Sequence, residues 1–341
     1  MTVALLLRMK FLFLTAGLLL TALLTAQVDT LTPPATDALS AVDTTVFPFV
    51  AYWSVGDVFH YEVTKIANET VDGDTTKTDT ISYQSTLEVI DSTDDGYLLK
   101  YTIGEYTSNN PAGLSVEALS ALGKFQHLEG ITYRTDELGA FVGLENWQDF
   151  ALAFDTLFEI TMRELVAKEK VADEAALRRA MEPLRTLYTS EAGILDKVVG
   201  ELQYLHFPFG VQFVVGDTAY YNEGFNNLIG DKPIVMENTL YIEEANWSED
   251  YVELRHFTRL TPDGAATLLD NVTKTMPGVT DTPEVEAGLV GAGITIEDDN
   301  WYAFYNYPGI PIMIDNDRYF TIDIAGESRT KHNKIIIRWT D

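Results

Sequence analysis

Val58-Phe59-His60-Tyr61-Glu62-Val63 and Ile81-Ser82-Tyr83-Gln84-Ser85-Thr86-Leu87-Glu88-Val89-Ile90 decide the fold of this chain. In the first, Phe59, Tyr61 and Val63 fall on one side of an extended backbone. In the second, Ile81, Tyr83, Ser85, Leu87 and Val89 do the same. Period two gives each strand a face to bury, and it fixes register, because a slip of one residue would turn both sets toward water. Trp53-Ser54-Val55-Gly56-Asp57 is a turn into the first strand. The polar tract 68–79, with Asp72-Gly73-Asp74, reads as the tip of a hairpin. Residues 91–96 turn again and 97–106 form a third strand, so the chain opens as a meander of long antiparallel strands. Residues 133–143 predict a further hairpin.

Helices then interrupt. Trp147, Phe150, Ala151, Phe154, Leu157, Phe158, Thr161 and Leu165 recur at helical spacing, with Asp155, Glu159 and Arg163 opposite and Asn146 as a cap. A second helix carries Leu177, Ala180, Met181, Leu184, Leu187 and Tyr188, with a kink expected at Pro183. A third starts at a Ser190 cap and runs through Leu195, Val198 and Leu202 to about residue 204. Each has one apolar stripe, and the sheet is the surface expected to bury it. Strands resume after residue 209, with a hairpin at 239–245 and 251–260. Thr261-Pro262-Asp263 starts a helix to about 275, since a Thr cap, a Pro at the first position and an acid in the first turn all favour one. Strands at 294–307, 310–314, 319–324 and 335–339 end the chain. The order predicts an α+β fold, a long curved antiparallel sheet of half-barrel-like meander form with helices packed on one face. One domain is expected over 47–341, with its helical insert at about 146–205.

The N-terminus predicts export. Arg8 and Lys10 precede an uncharged run, 11–24, and Leu24-Thr25-Ala26 stands ahead of Gln27. A short basic region, a short apolar core and small residues at the junction define a signal peptide over 1–26. The run is shorter than the roughly 20 residues of a spanning helix, so no membrane span is expected after cleavage. Residues 27–46, with Pro33-Pro34 and many Thr, Ala and Asp, read as a flexible tether. A second loose stretch covers 277–293. The chain has no Cys, which excludes disulfides, cysteine catalysis and acylation as a lipoprotein. Its formal charge of −29 becomes more negative still once the leader's two basic residues are lost. Such a surface disfavours nucleic acid and anionic membranes as partners.

Signatures of chemistry are sparse. No G-x-G-x-x-G follows a strand, Gly123-Lys124 lacks the upstream Gly of a phosphate-binding loop, and no G-x-S-x-G elbow occurs. His60, His127, His206, His256 and His332 are all too far apart for a local zinc site. Asp72-Gly73-Asp74 with Asp79, and Asp315-Asn316-Asp317, lack the D-x-D-x-D-G run of a calcium loop and read as turns. No metal and no cofactor is therefore expected. With 52 acidic residues, a carboxylate pair for glycoside hydrolysis stays open as an alternative, although no pair stands out.

Two aromatic stretches carry the candidate ligand-lining residues. Residues 301–307 read Trp-Tyr-Ala-Phe-Tyr-Asn-Tyr, with Trp301, Ala303, Tyr305 and Tyr307 on one side and Tyr302 and Phe304 on the other. A strand apolar on both faces is covered on both. Tyr204-Leu205-His206-Phe207-Pro208-Phe209 clusters rings at a helix-to-strand corner. Trp301, Tyr305, Tyr307, His206, Phe207 and Phe209 are thus the residues expected to line a ligand, with core packing as the competing account.

The leader ending at Gln27, the lack of Cys and the motif Trp53-x-x-Gly56-Asp57-x-x-x-Tyr61 resemble exported β-rich proteins of Bacteroidota. The long-stranded meander with helices on one face is similar in outline to the LolA/LolB-type half-barrel of periplasmic lipoprotein carriers. That resemblance implies an exported soluble binding or scaffold protein, with an apolar small molecule, lipid or envelope protein as partner. It also implies O-glycosylation at Asp-Ser/Thr triplets, which occur here at Thr30, Thr44, Thr75, Thr80, Ser92, Thr156 and Thr218 against about two expected from composition. Thr156 lies within the first predicted helix and is set aside. A glycan-acting hydrolase is the alternative function. A structural partner at the outer membrane is a third, although Arg338-Trp339-Thr340-Asp341 lacks the terminal aromatic of outer-membrane barrels.

Overall fold

The computed structural model describes residues 46–109, 130–169, 174–225, 232–275, 293–324 and 326–340. The expected leader, nearly all of the tether and the loose stretch 277–292 lie outside these residues. In chain order the elements are β1 (Val46–Pro48), β2 (Val58–Val71), β3 (Asp74–Thr93), β4 (Gly96–Ser108), β5 (Ile131–Thr135) and β6 (Phe141–Leu144), then α1 (Trp147–Glu169), α2 (Glu174–Tyr188), α3 (Glu191–Lys197) and α4 (Glu201–His206). They continue with β7 (Gln212–Val214), β8 (Thr218–Phe225), β9 (Ile234–Asn246), β10 (Tyr251–Leu260), α5 (Pro262–Thr275), β11 (Gly293–Tyr305), β12 (Ile310–Ile324) and β13 (Glu327–Trp339). Eleven strands form one antiparallel sheet in the order β6-β5-β4-β3-β2-β13-β12-β11-β10-β9-β8, while β1 pairs with β7. The sheet is two meanders joined where β2 meets β13, with Val63 opposite Ile337. This is the expected α+β class, built on an antiparallel sheet.

Register follows the alternation. Phe59 lies opposite Leu87, Tyr61 opposite Ser85 and Val63 opposite Tyr83, and these apolar side chains and Val89 are buried. Two polar tracts expected as turns are strand instead. Between β2 and β3 only Asp72 and Gly73 turn, at φ of 50° and 87°, a two-residue reversal whose twist suits the strands on either side. Asp315-Asn316-Asp317 lies within β12. Asp315 and Asp317 bind Lys334 of β13 at 2.6 and 2.7 Å, and buried Asn316 hydrogen-bonds Asn300 of β11. Cross-strand partners satisfy polar side chains there, so the strand needs no apolar face to persist.

The curvature can be deduced from one dipeptide. The His206 ring lies 2.7 Å from the Tyr133 hydroxyl of β5. Phe207, the next residue, stacks on His256 of β10 with centroids 4.7 Å apart. β5 and β10 stand second and ninth in the strand order, so a flat sheet would separate them by roughly 34 Å. Adjacent side chains cannot span that distance, and the sheet must wrap around α4.

That inner face is filled by Ile194, Val199, Leu202 and Leu205 of the α3–α4 region, by Phe207 and Phe209, and by Phe47, Phe49, Ala51 and Trp53, which belong to one apolar cluster with β2–β5 and β9–β13. The segment carrying those last four crosses one end of the half-barrel. Phe49 meets Phe304 of β11 at 5.2 Å, Tyr97 of β4 donates to the Ala51 carbonyl, and the Trp53 indole donates to the Gly309 carbonyl.

The longer helices behave differently from expectation. Trp147, Phe150 and Ala151 at the start of α1 pack on the edge of this core. Beyond them α1 pairs with α2 rather than the sheet, through Phe154 against Tyr188 at 5.7 Å and through Asp155–Arg185 and Glu159–Arg178 bonds of 2.6 and 3.0 Å. Phe154, Phe158, Leu184 and Leu187 are only half-buried along this stretch, and the apolar contact made there is with the facing helix. Spacing alone cannot tell that partner from a sheet. Helix α5 buries Leu268 against Met236, Leu260, Ile294 and Ile296 in a second cluster. Its start is as predicted, with the Thr261 hydroxyl accepting from the Gly264 amide at 3.0 Å.

Candidate functional site

Polar side chains fix α4 in the half-barrel. The Glu201 carboxylate is wholly buried and accepts from Lys65 of β2 at 2.7 Å, from Tyr101 of β4 at 3.2 Å and from Tyr83 of β3. Burial, reinforced by the Glu201 charge, pushes both phenols above the usual tyrosine range. At the other end of α4, His206 Nδ1 donates to the Gly139 carbonyl at 2.8 Å, and Nε2 accepts from Tyr133. Burial lowers the His206 pKa to about 4, so the ring is neutral at pH 7. His256, bonded to Asn238 at 3.0 Å, is likewise lowered to about 4 by burial. The bonding atoms of Glu201 and His206 are occupied by neighbours in the protein, and the arrangement positions a helix.

The six residues expected to line a ligand do not share one space. His206, Phe207 and Phe209 are buried together in the inner core. Trp301 is on the outer face, its indole donating to Glu253 at 3.1 Å. Tyr305 packs between Tyr251 and Trp339. Tyr307 lies in the β11–β12 turn beside Tyr52, 69% exposed. Of the triplet hydroxyls, Thr75, Ser92 and Thr218 are exposed and Thr80 is half-buried, while Thr30 and Thr44 lie outside the described residues.

The outer face of β9–β12 carries an open groove of about 460 Å³. Its lining comes from two rows of side chains set by register. In one, Glu237, Arg259, Glu297 and Tyr319 stand opposite one another on β9, β10, β11 and β12; in the next, Thr239, Phe257 and Asp299 do so on β9–β11. The floor over β11 is Glu297 and Asp299, bonded at 2.9 Å to Arg259 and Arg255 respectively. The walls are aromatic. Phe257 on β10 is 37% exposed and Tyr319 on β12 is 42% exposed. Each ring is backed on the side away from β11. Tyr241 of β9 lies 6.4 Å from Phe257, and His332 of β13 stacks on Tyr319 at 4.3 Å and 1°. His332 is itself held by Asp317 at 2.5 Å. Partial burial opposes ionisation of Asp317, but the bonds from Lys334 and His332 outweigh it and hold the carboxyl below the usual aspartate range. None of the groove residues was singled out from sequence. Alternation in 237–241, 255–259 and 297–301 puts them on the polar side of their strands, but only the pairing of β9 to β12 brings them together.

Among the described residues, no group of three or more His, Asp or Glu is arranged to hold a metal ion, and no helix is long and apolar enough to cross a membrane. No family model matches the chain and no curated protein does. Among solved structures, the chain is similar to the one titled "Lipid-protein interactions in lipovitellin", with a TM-score of 0.42 and 11% identity over 84% of this chain. It spans 25% of that chain's length. A more distant likeness, at a TM-score of 0.13 and 4% identity, is to Ail, the attachment invasion locus protein of Yersinia pestis, covering 84% of this chain and 99% of that one.

Proposed function

We propose that this chain is an exported binding or scaffold protein that holds its ligand in the outer groove of β9–β12. Export rests on the leader, with its basic start, short apolar core and small residues before Gln27. The single observation that carries the binding reading is the contrast between the two faces. The inner face is filled with the chain's own side chains, whereas Phe257 and Tyr319 stand open over a polar floor. An apolar ligand on the inner face would have to take the place of Leu202, Leu205 and Phe207. Burying each of those is worth about 1.5–3 kcal/mol, which the ligand would first have to replace. Glycoside hydrolysis uses a pair of carboxylates, and three of the four that line this groove, Glu297, Asp298 and Asp299, are bonded to guanidinium groups.

Fluorotyrosine labelling with 19F NMR tests the reading. Titration with the water-soluble fraction of a bacterial envelope is expected to move the Tyr319 resonance and leave those of Tyr83, Tyr101 and Tyr133 in place. Titration with palmitate is expected to move none of the four. Movement of the three buried tyrosines with palmitate would put the ligand on the inner face and overturn the proposal.

A further inference from the structure

We infer a second site beside the groove, on the outer edge of β8, where an extended, basic segment of another polypeptide adds as an antiparallel twelfth strand of the sheet. It does not depend on what the groove holds. β8 ends the strand order, and among the described residues no strand lies beyond it. The Thr261 amide donates to the Val235 carbonyl. Val235 and the odd-numbered residues of β9 up to Tyr241 therefore direct their backbone groups to β10, and the even-numbered ones direct theirs to β8. Register then makes Ala219, Tyr221, Glu223 and Phe225 the residues of β8 that bond β9. The N–H and C=O groups of Thr218, Tyr220, Asn222 and Gly224 point away from the sheet, as a row that a further strand can bond.

The two ends of the sheet differ. β6, at the far end, has four residues, and its outward Leu144 amide is taken by Glu191 of α3 at 3.0 Å. β8 has eight residues, with no Pro, no Lys and no break in its register with β9, so it lacks those devices for closing an edge. Charge selects the partner. β8 and β9 together carry Glu223, Glu237, Glu243 and Glu244 and no Lys or Arg. Arg259, opposite Glu237, is bonded to Glu297 on its far side, and among the described residues no cation pairs with Glu237. Asn222 lies opposite Glu237 in register. A residue of the added strand facing Asn222 thus shares the outer-face row with Glu237, two strand spacings or roughly 10 Å away. An extended Lys or Arg side chain covers that distance over the short Asn222. Tyr220, 76% exposed on the same face, offers its ring to the stem of the neighbouring side chain. A second copy of this chain, with its formal charge of −29, would instead meet like charge.

Amide hydrogen exchange by NMR tests this on the full chain, with an end-blocked heptapeptide of alternating valine and lysine as the probe. In the protein alone the Tyr220 and Asn222 amides are expected to exchange fast and those of Tyr221 and Glu223 slowly. The peptide should slow the first two at least tenfold. A counterpart with glutamate in place of lysine should bind at least tenfold more weakly. A version N-methylated at its lysine amides, which keeps the charge but cannot donate to β8, should not bind. Asn222→Pro removes an outward N–H that the β8–β9 ladder does not use, and should weaken binding at least tenfold at a melting temperature close to wild type. If that variant fails to fold, the N-methylated peptide makes the same test on the wild type. Glu237→Gln should narrow the preference for lysine over glutamate. Protection of Tyr220 and Asn222 before any peptide is added would mean that this chain or a second copy already covers the edge, and overturns the inference. Failure of the lysine peptide to bind overturns it too, as does equal binding of the N-methylated peptide, which charge alone would explain, or of the glutamate peptide.

Discussion

Glu201, His206 and His256 are the side chains at which protonation and folding meet. Both histidines are buried neutral, with pKa values lowered to about 4 by burial, whereas an unfolded chain takes up their protons near 6.5. Between those values the unfolded state binds more protons than the folded one. The stability each contributes is therefore fully present above pH 6.5 and is lost as pH falls toward 4. By pH 5 the loss is roughly 2 kcal/mol per ring at 1.36 kcal/mol per pH unit. Melting temperature should accordingly drop between pH 7 and 5, and His206→Gln should flatten part of that slope. A flat wild-type profile would show that the rings are hydrated. For Glu201 the comparison is between two variants. Glu201→Leu leaves two buried phenols and Lys65 without their acceptor, and should cost about 3 kcal/mol, at the low end for a broken buried pair because Lys65 can still reach water. Glu201→Gln keeps an acceptor and should cost clearly less in urea unfolding. Equal costs would mean that the volume of the side chain matters and its bonds do not.

At the level of elements, strands with one apolar face were legible from the sequence, and strands paired through polar groups were not. Residues 58–63 and 81–90 announce themselves by alternation. Residues 68–71, 74–79 and 315–318 carry Thr, Asn, Asp and Lys on both faces and read as turns, because their partners lie on other strands. The groove is hidden for the same reason. Phe257 and Tyr319 are 62 positions apart in a sequence that gives no hint of register. Helices were legible as helices, while their partners were not. The outer halves of α1 and α2 face each other, with Phe154 half-buried against Tyr188, so Phe154→Asp should act locally. The expected result is a loss of helical circular dichroism worth about 2 kcal/mol of local stability, with near-UV signals from the sheet's aromatic core retained at the wild-type melting temperature. Loss of both signals together would mean that the α1–α2 pair is part of the sheet's cooperative unit.

Across the whole molecule, two meanders separated in sequence by α1–α4 close into one curved sheet through a single seam, β2 against β13. Few contacts near in sequence cross that seam, so it forms only when both ends of the folded region come together, at a high cost in loop entropy. What rewards the closure is the shared interior. α4 touches β5 on one side, and Phe207 just after it touches β10 on the other, and the segment with Phe49 and Trp53 ties β11 to β4 across one end. Neither meander would have its apolar face covered without the other. Ile337, buried opposite Val63 in the seam, is the residue at which to test this. Ile337→Asp drives a carboxylate into an apolar interior with no cation in its register row, at a cost of about 3 kcal/mol or more. If the two meanders are one cooperative unit, hydrogen exchange should then accelerate by a similar factor in β3 and β4 on one side and in β10 and β11 on the other. Faster exchange confined to β2, β13 and their immediate neighbours, with β10 and β11 still protected as in the wild type, would mean that the C-terminal meander stands alone with α5.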